Sequence, residues 1–317
     1  MHTRPVPSCP ETDVVVVGEA LIDIIDTAAG AVEFPGGSGL NVAFGLGRLD
    51  VSTTFLTALG KDARSERIQE HLGTAGVRLL PGAERLPRTS TATAVLDSNG
   101  SADYEFDFHW DLPHVSPTFL PKVLHTGSLA AFIEPGATQV RALLELFSGR
   151  CLITYDPNIR PTLLPHHAEA LRTFEDTTAL ATVVKLSSED ALWLYPRWSL
   201  AAVGRRLLDV GAEAAIITDG GSGSFLCSKS AEVHVPARVV AVKDTVGAGD
   251  SYMSALVAGL IEEGDGDFDA AKLTRLGTAA SLAAAITVGR HGANPPTRAE
   301  LTESLELAHA SRKDSNV

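Results

Sequence analysis

The sequence predicts an α/β protein, in which helices cover both faces of a mostly parallel sheet. Two observations carry this prediction. Short apolar runs such as VVVVG (14–18) and CLITYDPN (151–158) alternate along the chain with helical stretches. These runs are apolar throughout, which is typical of parallel strands buried on both faces. A chain of 317 residues, of which 44% are hydrophobic, is long enough to bury a large core.

The predicted elements follow one another along the chain. Strands are expected at 14–18, 53–60, 122–129, 151–158, 182–187 and 214–220. Helices are expected at 39–49, 62–77, 136–147, 166–174, 200–210, 268–286 and 296–311. Apolar residues that recur at three- and four-residue spacing indicate the amphipathic helices.

Residues 89–112 interrupt this alternation, because they contain no helical pattern and are typical of a strand, a turn and a second strand. Residues 24–36 are expected to add to the same small sheet, which projects from the body. Such a sheet can be a lid over a cleft, a dimer interface or both, or an edge hairpin packed on the body, and the sequence leaves these alternatives open. We expect one domain over 13–312, between tails at 1–12 and 313–317.

The charge balance limits the classes of partner. The net charge is −13 without a basic block, which argues against nucleic acid and anionic membranes as partners. No apolar run approaches the roughly 18 residues of a membrane helix, and the N-terminus lacks the apolar core of a secretory signal. The three cysteines lie far apart without a CxxC pair. Neither a zinc site nor a disulfide framework is predicted, and the cytoplasm is the expected compartment.

The stretch DTVGAGDSYMSALVAGL (244–260) places two glycines, Gly247 and Gly249, at the entrance to a helix. A helix N-terminus has unpaired N–H groups and a partial positive charge, and glycine leaves those amides open to an anion. Asp250 follows directly and is placed to accept a proton from a hydroxyl, so the stretch is a candidate phosphoryl-transfer site. The alternative is a tight turn, in which Asp250 only stabilises the first turn of its helix.

A second glycine-rich helix entrance occurs in FPGGSGLNVAFGLGRL (34–49). Asn41 stands in the first turn and offers both a donor and an acceptor, which suits a sugar hydroxyl. The alternative is a tight strand-to-helix turn with close helix packing. No GxGxxG follows Gly37 in register, so a dinucleotide-dependent oxidoreductase is not predicted.

These two stretches resemble the signatures of the ribokinase-like, or PfkB-type, carbohydrate kinases. GGSGLNVAFGLGRLDVSTTFLTALGKDARSERIQEHLGTAGV is similar to the N-terminal signature of that family, and DTVGAGDSYMSALVAGL is similar to its C-terminal signature. The resemblance covers nearly the whole chain. It implies a ribokinase-like three-layer α/β/α sandwich with a small β-sheet lid, ATP and Mg²⁺ as cofactors with K⁺ as a further ion, and a homodimer formed through the lid.

The resemblance also implies roles for single residues. Asp250 would be the catalytic base, and the anion hole would be formed by Gly247, Ala248 and Gly249. Sugar hydroxyls would be bound by Asp23, at the end of the first strand, and by Gly37, Asn41 and Glu134. The nucleotide would be bound by Ser187, Thr218, Gly220 and Gly223.

The implied metal contacts depart from the family's pattern. Where the family commonly has N-x-x-E, this chain has SSED at 187–190. Asp190 would therefore hold Mg²⁺ through water, with Glu189 as the alternative. A monovalent cation would be held by Asp244, Val246 and carbonyls near Thr287, Arg290 and Gly292.

The DPNIR element (156–160) resembles that of fructokinase-like and ketodeoxygluconate-kinase-like members. Arg160 follows a parallel strand and is expected to face the ligand crevice, where it can bind a hydroxyl cluster, a carboxylate or a phosphate. The alternative is that Arg160 pairs with a neighbouring acid such as Asp156. We favour fructose as the acceptor, with ribose, ketodeoxygluconate and nucleosides as alternatives. A non-catalytic sugar- or nucleotide-binding regulator is the hypothesis from another class, and the intact Asp250 and glycines disfavour it.

Overall fold

The computed structural model describes residues 12–27, 30–96, 102–113, 120–164, 166–264 and 266–314. The tails predicted at the two ends of the chain fall outside these ranges, apart from residues 12, 313 and 314. The turn of the predicted hairpin, at 97–101, also lies outside them.

Thirteen strands and nine α-helices occur within the described ranges. The strands are β1 (Val14–Val17), β2 (Leu21–Thr27), β3 (Gly30–Gly36), β4 (Thr53–Leu56), β5 (Arg78–Leu79), β6 (Thr91–Leu96), β7 (Ala102–Asp107), β8 (Val123–Gly127), β9 (Leu152–Asp156), β10 (Val183–Ser187), β11 (Ala214–Thr218), β12 (Ser224–Ser228) and β13 (Glu232–Val235). The helices are α1 (Ser38–Arg48), α2 (Ala63–Gly73), α3 (Gly136–Phe147), α4 (His167–Thr178), α5 (Ser188–Leu194), α6 (Leu200–Val210), α7 (Ala248–Glu263), α8 (Ala270–Val288) and α9 (Arg298–Asp314).

The large sheet has the strand order β13-β12-β11-β10-β9-β8-β1-β4-β5 among the described residues. Pairing is parallel from β11 to β5, which confirms the mostly parallel sheet. The edge strands β12 and β13 are antiparallel. The sequence did not predict these two strands, because each is short and follows a glycine- or serine-containing turn that looks like loop.

Helices cover both faces of this sheet, as predicted. Val14 and Val16 of β1 belong to one buried apolar cluster, which includes residues of α1, α7 and α8. Val15 and Val17 belong to a second cluster, which includes residues of α3, α4 and α6. Because successive side chains of a strand point to opposite faces, the continuous apolar run of β1 is required by a core on each side.

The small sheet has the order β3-β2-β6-β7. One expectation is wrong here: Asp23 does not lie at the end of the first strand. β1 ends at Val17, and the chain turns at 18–20 before β2 begins a new strand in the small sheet. Asp23 pairs there with Phe34 of β3. The apolar run therefore contains two strands in two sheets, separated by Gly18.

Gly18 and Gly39 bring β1 and α1 into direct backbone contact. A Cβ atom built on Gly39 would lie 2.7 Å from the Cα of Gly18, closer than real side chains approach a backbone atom. The contact sets the start of α1 at the carboxyl end of β1, the edge where ligands bind in open α/β sheets. In the described part of the chain, no helix is both long and apolar enough to span a bilayer.

Replacing Gly39 by alanine is expected to lower the free energy of unfolding by about 1–3 kcal/mol, because the added methyl group must push α1 away from Gly18. Urea denaturation of the purified protein measures this change. Gly73→Ala is the matched control, since a Cβ there meets no atom within 4 Å and alanine is the better helix former. A Gly39→Ala protein as stable as the Gly73→Ala protein would contradict the packing argument.

Candidate active site

Asp250, in the first turn of α7, accepts one hydrogen bond on each carboxylate oxygen. Ser38 Oγ donates to Oδ1 at 2.6 Å, and Asn41 Nδ2 donates to Oδ2 at 2.8 Å. Both donors come from the first turn of α1. The two glycine-rich helix entrances therefore meet, with the carboxylate of one fixed by side chains of the other.

Glu19, which directly follows Gly18, holds the first turn of α1 in place. Its Oε1 accepts a hydrogen bond from the backbone N–H of Ser38 at 3.1 Å. Glu19 is fully buried, and this burial raises the pKa of its carboxyl to about 7. Among the residues that the structure describes, the other oxygen, Oε2, has no partner at hydrogen-bond distance. Gly37 precedes α1 with φ of 102°, and a Cβ there would lie 2.8 Å from the carbonyl oxygen of Glu19.

Asp23 and Arg160 face the same region as Asp250. Burial raises the pKa of Asp23 to about 6; the charge of Arg160 opposes this rise, and the charge of Asp250 adds to it. Arg160 itself is exposed, and its Nη1 donates to the carbonyls of Ile159 and Asn158 at 3.1 and 3.4 Å. The site thus brings two carboxylates and one guanidinium together.

Asp156, the acid suggested above as a partner of Arg160, does not pair with it. Asp156 instead forms a buried ion pair with Lys185 of β10, whose Nζ lies 2.8 Å from Oδ2. The lysine and aspartate side chains are 5% and 2% exposed. The charge of Arg160 acts instead on Asp23.

Gly247 caps the N-terminus of α7 in the left-handed conformation, with φ of 74°. A Cβ at this position would lie 2.6 Å from that of Ala293, so the loop before α9 packs directly on it. The N–H of Ala248 donates weakly to the carbonyl of Thr245, at 3.2 Å. The amides of Gly249 and Asp250 have no carbonyl one turn back within the helix, as at any helix N-terminus. Gly249 is exposed, so these amides can be reached by an anion.

The residues assigned to the nucleotide lie at the carboxyl ends of two neighbouring strands. Ser187 of β10 is in register with Thr218 of β11. Gly220 begins a short 3₁₀ turn after β11, and Gly223 precedes β12. The strand order therefore brings these four residues to the same edge of the large sheet.

Asp190 is buried and caps α5. Its Oδ2 accepts from the N–H of Ser187 at 3.0 Å, and its Oδ1 accepts from the N–H of Ile159 at 2.8 Å. The second bond fixes the loop that carries Arg160. Glu189 is exposed, and its Oε2 accepts from the hydroxyl of Ser188 at 3.3 Å. Asp190 thus has a structural role that its motif did not reveal.

Asp244 joins the two segments assigned to a monovalent cation. Its Oδ1 accepts from the N–H of Val246 at 3.0 Å, and its Oδ2 accepts from the N–H of Gly292 at 2.9 Å. The other two assigned residues make different contacts. The Arg290 guanidinium pairs with Glu300, and the buried Thr287 hydroxyl donates to Ser251 at 2.8 Å. Only backbone carbonyls of these two residues are therefore available to an ion.

Glu134 is placed differently from the other sugar candidates. Its carboxylate accepts from the N–H and the hydroxyl of Thr138, at 3.2 and 2.9 Å, and so stabilises the first turn of α3. The described contacts connect Glu134 to this helix and not to Asp23 or Asp250.

Sequence reasoning missed Ser38, Glu19 and Lys185. Ser38 lies among small residues, and no local sequence signal indicates its role, because its partner lies 212 residues away. Lys185 does carry a signal, because a lysine inside the apolar run TVVKL is buried and must be paired. Glu19, two residues after the last buried valine of β1, carries the same kind of signal.

Comparison with known proteins adds to this geometry. Residues 11–300 match the model of the pfkB family carbohydrate kinases. A fructokinase of Rhizobium leguminosarum bv. trifolii is 33% identical over 257 residues, which cover 77% of this chain and 78% of that protein.

Two solved structures have the same fold. One is the fructokinase of Vibrio cholerae in complex with fructose, ADP and a calcium ion, with a TM-score of 0.80 and 24% identity over 92% of this chain and 98% of that one. The other is the aminoimidazole riboside kinase of Salmonella enterica in complex with its riboside and an ATP analogue, with a TM-score of 0.79 and 24% identity over 92% and 99%. These likenesses confirm the ribokinase-like sandwich with its small second sheet. The family match over most of the chain, together with the Rhizobium relative, shows that this protein belongs to the pfkB family of carbohydrate kinases.

Proposed function

We propose that this protein transfers the γ-phosphoryl group of ATP to a hydroxyl of a neutral sugar, with fructose as the favoured acceptor. The observation that carries the proposal is the carboxylate of Asp250, held on both oxygens at the open N-terminus of α7. A base beside a cluster of free amides is the arrangement that phosphoryl transfer needs.

In this mechanism Asp250 accepts the proton of the sugar hydroxyl. The hydroxyl oxygen forms a bond to the γ-phosphorus, the bond from that phosphorus to the β–γ bridging oxygen breaks, and ADP leaves. Ser38 and Asn41 orient the carboxylate toward the hydroxyl. The amides of Gly249 and Asp250, which have no partner within the helix, stabilise the charge on the phosphoryl oxygens.

Asp190 fits a water-mediated contact to Mg²⁺, because each of its oxygens accepts one backbone N–H and keeps a further lone pair for a water molecule. Glu189 is the exposed acid next to it. When bound, Mg²⁺ would neutralise the charge of the phosphate oxygens. A monovalent ion such as K⁺ would be held by backbone carbonyls of the two segments that the Asp244 carboxylate joins.

The charges around the sugar side favour a neutral acceptor. Asp23 and Asp250 are carboxylates, and the carboxyl of Glu19 is buried near Asp250. Arg160 is the cation that acts on Asp23. A carboxylate such as that of ketodeoxygluconate would meet more repulsion than attraction here. The Rhizobium relative is named a fructokinase and the Vibrio enzyme binds fructose, which favours fructose among neutral sugars. Ribose and nucleosides are the alternatives, supported by the Salmonella riboside kinase.

A homodimer formed through the small sheet is part of the proposal. Ile25, Val32 and Phe34 are exposed, at 42%, 41% and 49%, and the strand register puts them on the same face as Asp23. A second copy laid on this face would cover both the apolar side chains and the sugar. The cytoplasm is the proposed compartment, where ATP is available and where Cys151 and Cys227 would stay as the free thiols they are here.

Asp250→Asn is expected to lower kcat by at least about 10²-fold, because the amide cannot accept the proton of the hydroxyl. ATP affinity should change little, since the amides of α7 are retained. Coupled ADP-release assays with fructose, ribose, ketodeoxygluconate and adenosine measure turnover, and titration calorimetry measures ATP binding.

The matched control is Asp209→Asn, which changes an exposed aspartate of α6 and should leave kcat unchanged. Full activity of the Asp250→Asn protein would contradict the mechanism. Higher turnover with ketodeoxygluconate than with fructose would contradict the neutral acceptor. Absence of turnover with all four acceptors would support the non-catalytic regulator.

The value of kcat/KM for the sugar is expected to fall as the pH drops below about 6. The pKa of Asp23 in the free enzyme is raised to about 6, and protonation removes the charge that accepts hydroxyl hydrogen bonds. The effect belongs in kcat/KM, which reports the free enzyme. Asp23→Asn should lower kcat/KM and abolish the decline near pH 6. A decline that persists unchanged in Asp23→Asn would assign it to another group.

A further inference from the structure

Lys185 of β10 places a buried ammonium group directly behind the open turn of α7. Its Nζ bonds to Asp156 Oδ2 at 2.8 Å. On another side it faces Gly249, because a Cβ built on that glycine would lie 3.1 Å from Nζ. Apart from its chain neighbours and its own helix, no other described atom lies within 4 Å of that position. The lysine therefore borders the same open space as the amides of α7.

We propose that Lys185 is a catalytic residue, whose ammonium group contacts the phosphoryl group during transfer, and that Asp156 positions it. This inference rests on the proposed phosphoryl transfer to a sugar. Nζ keeps its three protons throughout and acts through its charge. The bond made, the bond broken and the proton taken by Asp250 are those of the proposed reaction.

The surrounding charges require such a cation. The carboxylates of Asp156, Asp190 and Asp250 all act on Lys185, and a phosphoryl group brought among them would be repelled. Burial opposes the charge of Lys185, but these three carboxylates outweigh it and raise its pKa, so the ammonium form persists at neutral pH. The buried His125 cannot supply the charge, since burial lowers its pKa to about 3 and leaves it neutral.

A purely structural role explains the pair less well. Lys185 lies between Val184 and Leu186, in a strand whose other central residues are buried and apolar. Buried ion pairs seldom stabilise a fold more than apolar residues of similar size would. A lysine at this position is therefore better explained by a function of its charge at the site than by a contribution to the stability of the sheet.

The test compares the affinity of ATP with that of ADP, because only ATP carries the phosphoryl group that Lys185 would contact. In Lys185→Met the ratio of ATP affinity to ADP affinity should fall about tenfold, as expected for a lost hydrogen bond to a charged group. ADP affinity should stay within about twofold, on the same reasoning. The value of kcat should fall by about 10²–10³-fold. Titration calorimetry and steady-state kinetics measure these quantities.

Lys272→Met is the matched control for the loss of a buried lysine. Lys272 is 6% exposed and donates to the carbonyls of Gly264 and Gly266, at the far end of α7. This variant should keep the affinity ratio and kcat of the wild-type protein. Lys185→Met behaving like Lys272→Met would overturn the proposal.

The single variant leaves Asp156 buried without its partner and can fail to fold. The double variant Lys185→Met/Asp156→Asn removes both charges and keeps the test valid. Its affinity ratio and kcat should fall as in the single variant. A folded double variant that retains the affinity ratio and kcat of the wild-type protein would overturn the proposal. If Asp250→Asn is inactive while Lys185→Met is fully active, this inference fails and the proposed function stands; if the wild-type protein binds no ATP, both fail.

Discussion

Ser38 and Asn41, in the first turn of α1, hold both oxygens of Asp250 in the first turn of α7. The site depends on these two hydrogen bonds, because they join segments more than 200 residues apart. Each helix must begin at the right place for them to form. The close approach of Gly18 and Gly39 sets the start of α1, and the packing of Gly247 on Ala293 sets the start of α7. The positions of the side chains at the site therefore depend on close contacts at glycines, which have no side chain to prevent them.

The site also concentrates charge on buried side chains. Glu19 and Asp156 are buried, and burial raises the pKa of each carboxyl, to about 7 and about 6. Backbone amides, hydroxyl groups and Lys185 offset these charges only in part, since one oxygen of Glu19 has no partner among the described residues. A fold selected for stability alone would replace such groups by apolar residues. Perturbed carboxylates gathered at one edge of a sheet are instead typical of sites built for chemistry.

Much of this could be predicted from local sequence. Continuous apolar strands alternating with helices predicted the parallel sheet, and the glycines before Asp250 predicted an open helix N-terminus. The change of sheet after Gly18 could not be predicted, because the run from Val14 to Ile25 is apolar on both sides of the break. Nor could the roles of Ser38 and Asp190, which depend on partners distant in sequence. Glu134, assigned to the sugar by its position in a motif, contacts Thr138 of the nearby helix α3.

The most direct test of the proposed phosphoryl transfer is a crystal structure of the protein with fructose, ADP and aluminium fluoride. The fluoride complex mimics the phosphoryl group in the transition state of transfer. The account predicts the fluoride within hydrogen-bond distance of the Gly249 amide and of Lys185 Nζ. It also predicts a fructose hydroxyl between the aluminium and a carboxylate oxygen of Asp250, with both α1 hydrogen bonds intact. Fluoride bound away from α7, or a fructose hydroxyl out of reach of Asp250, would contradict it.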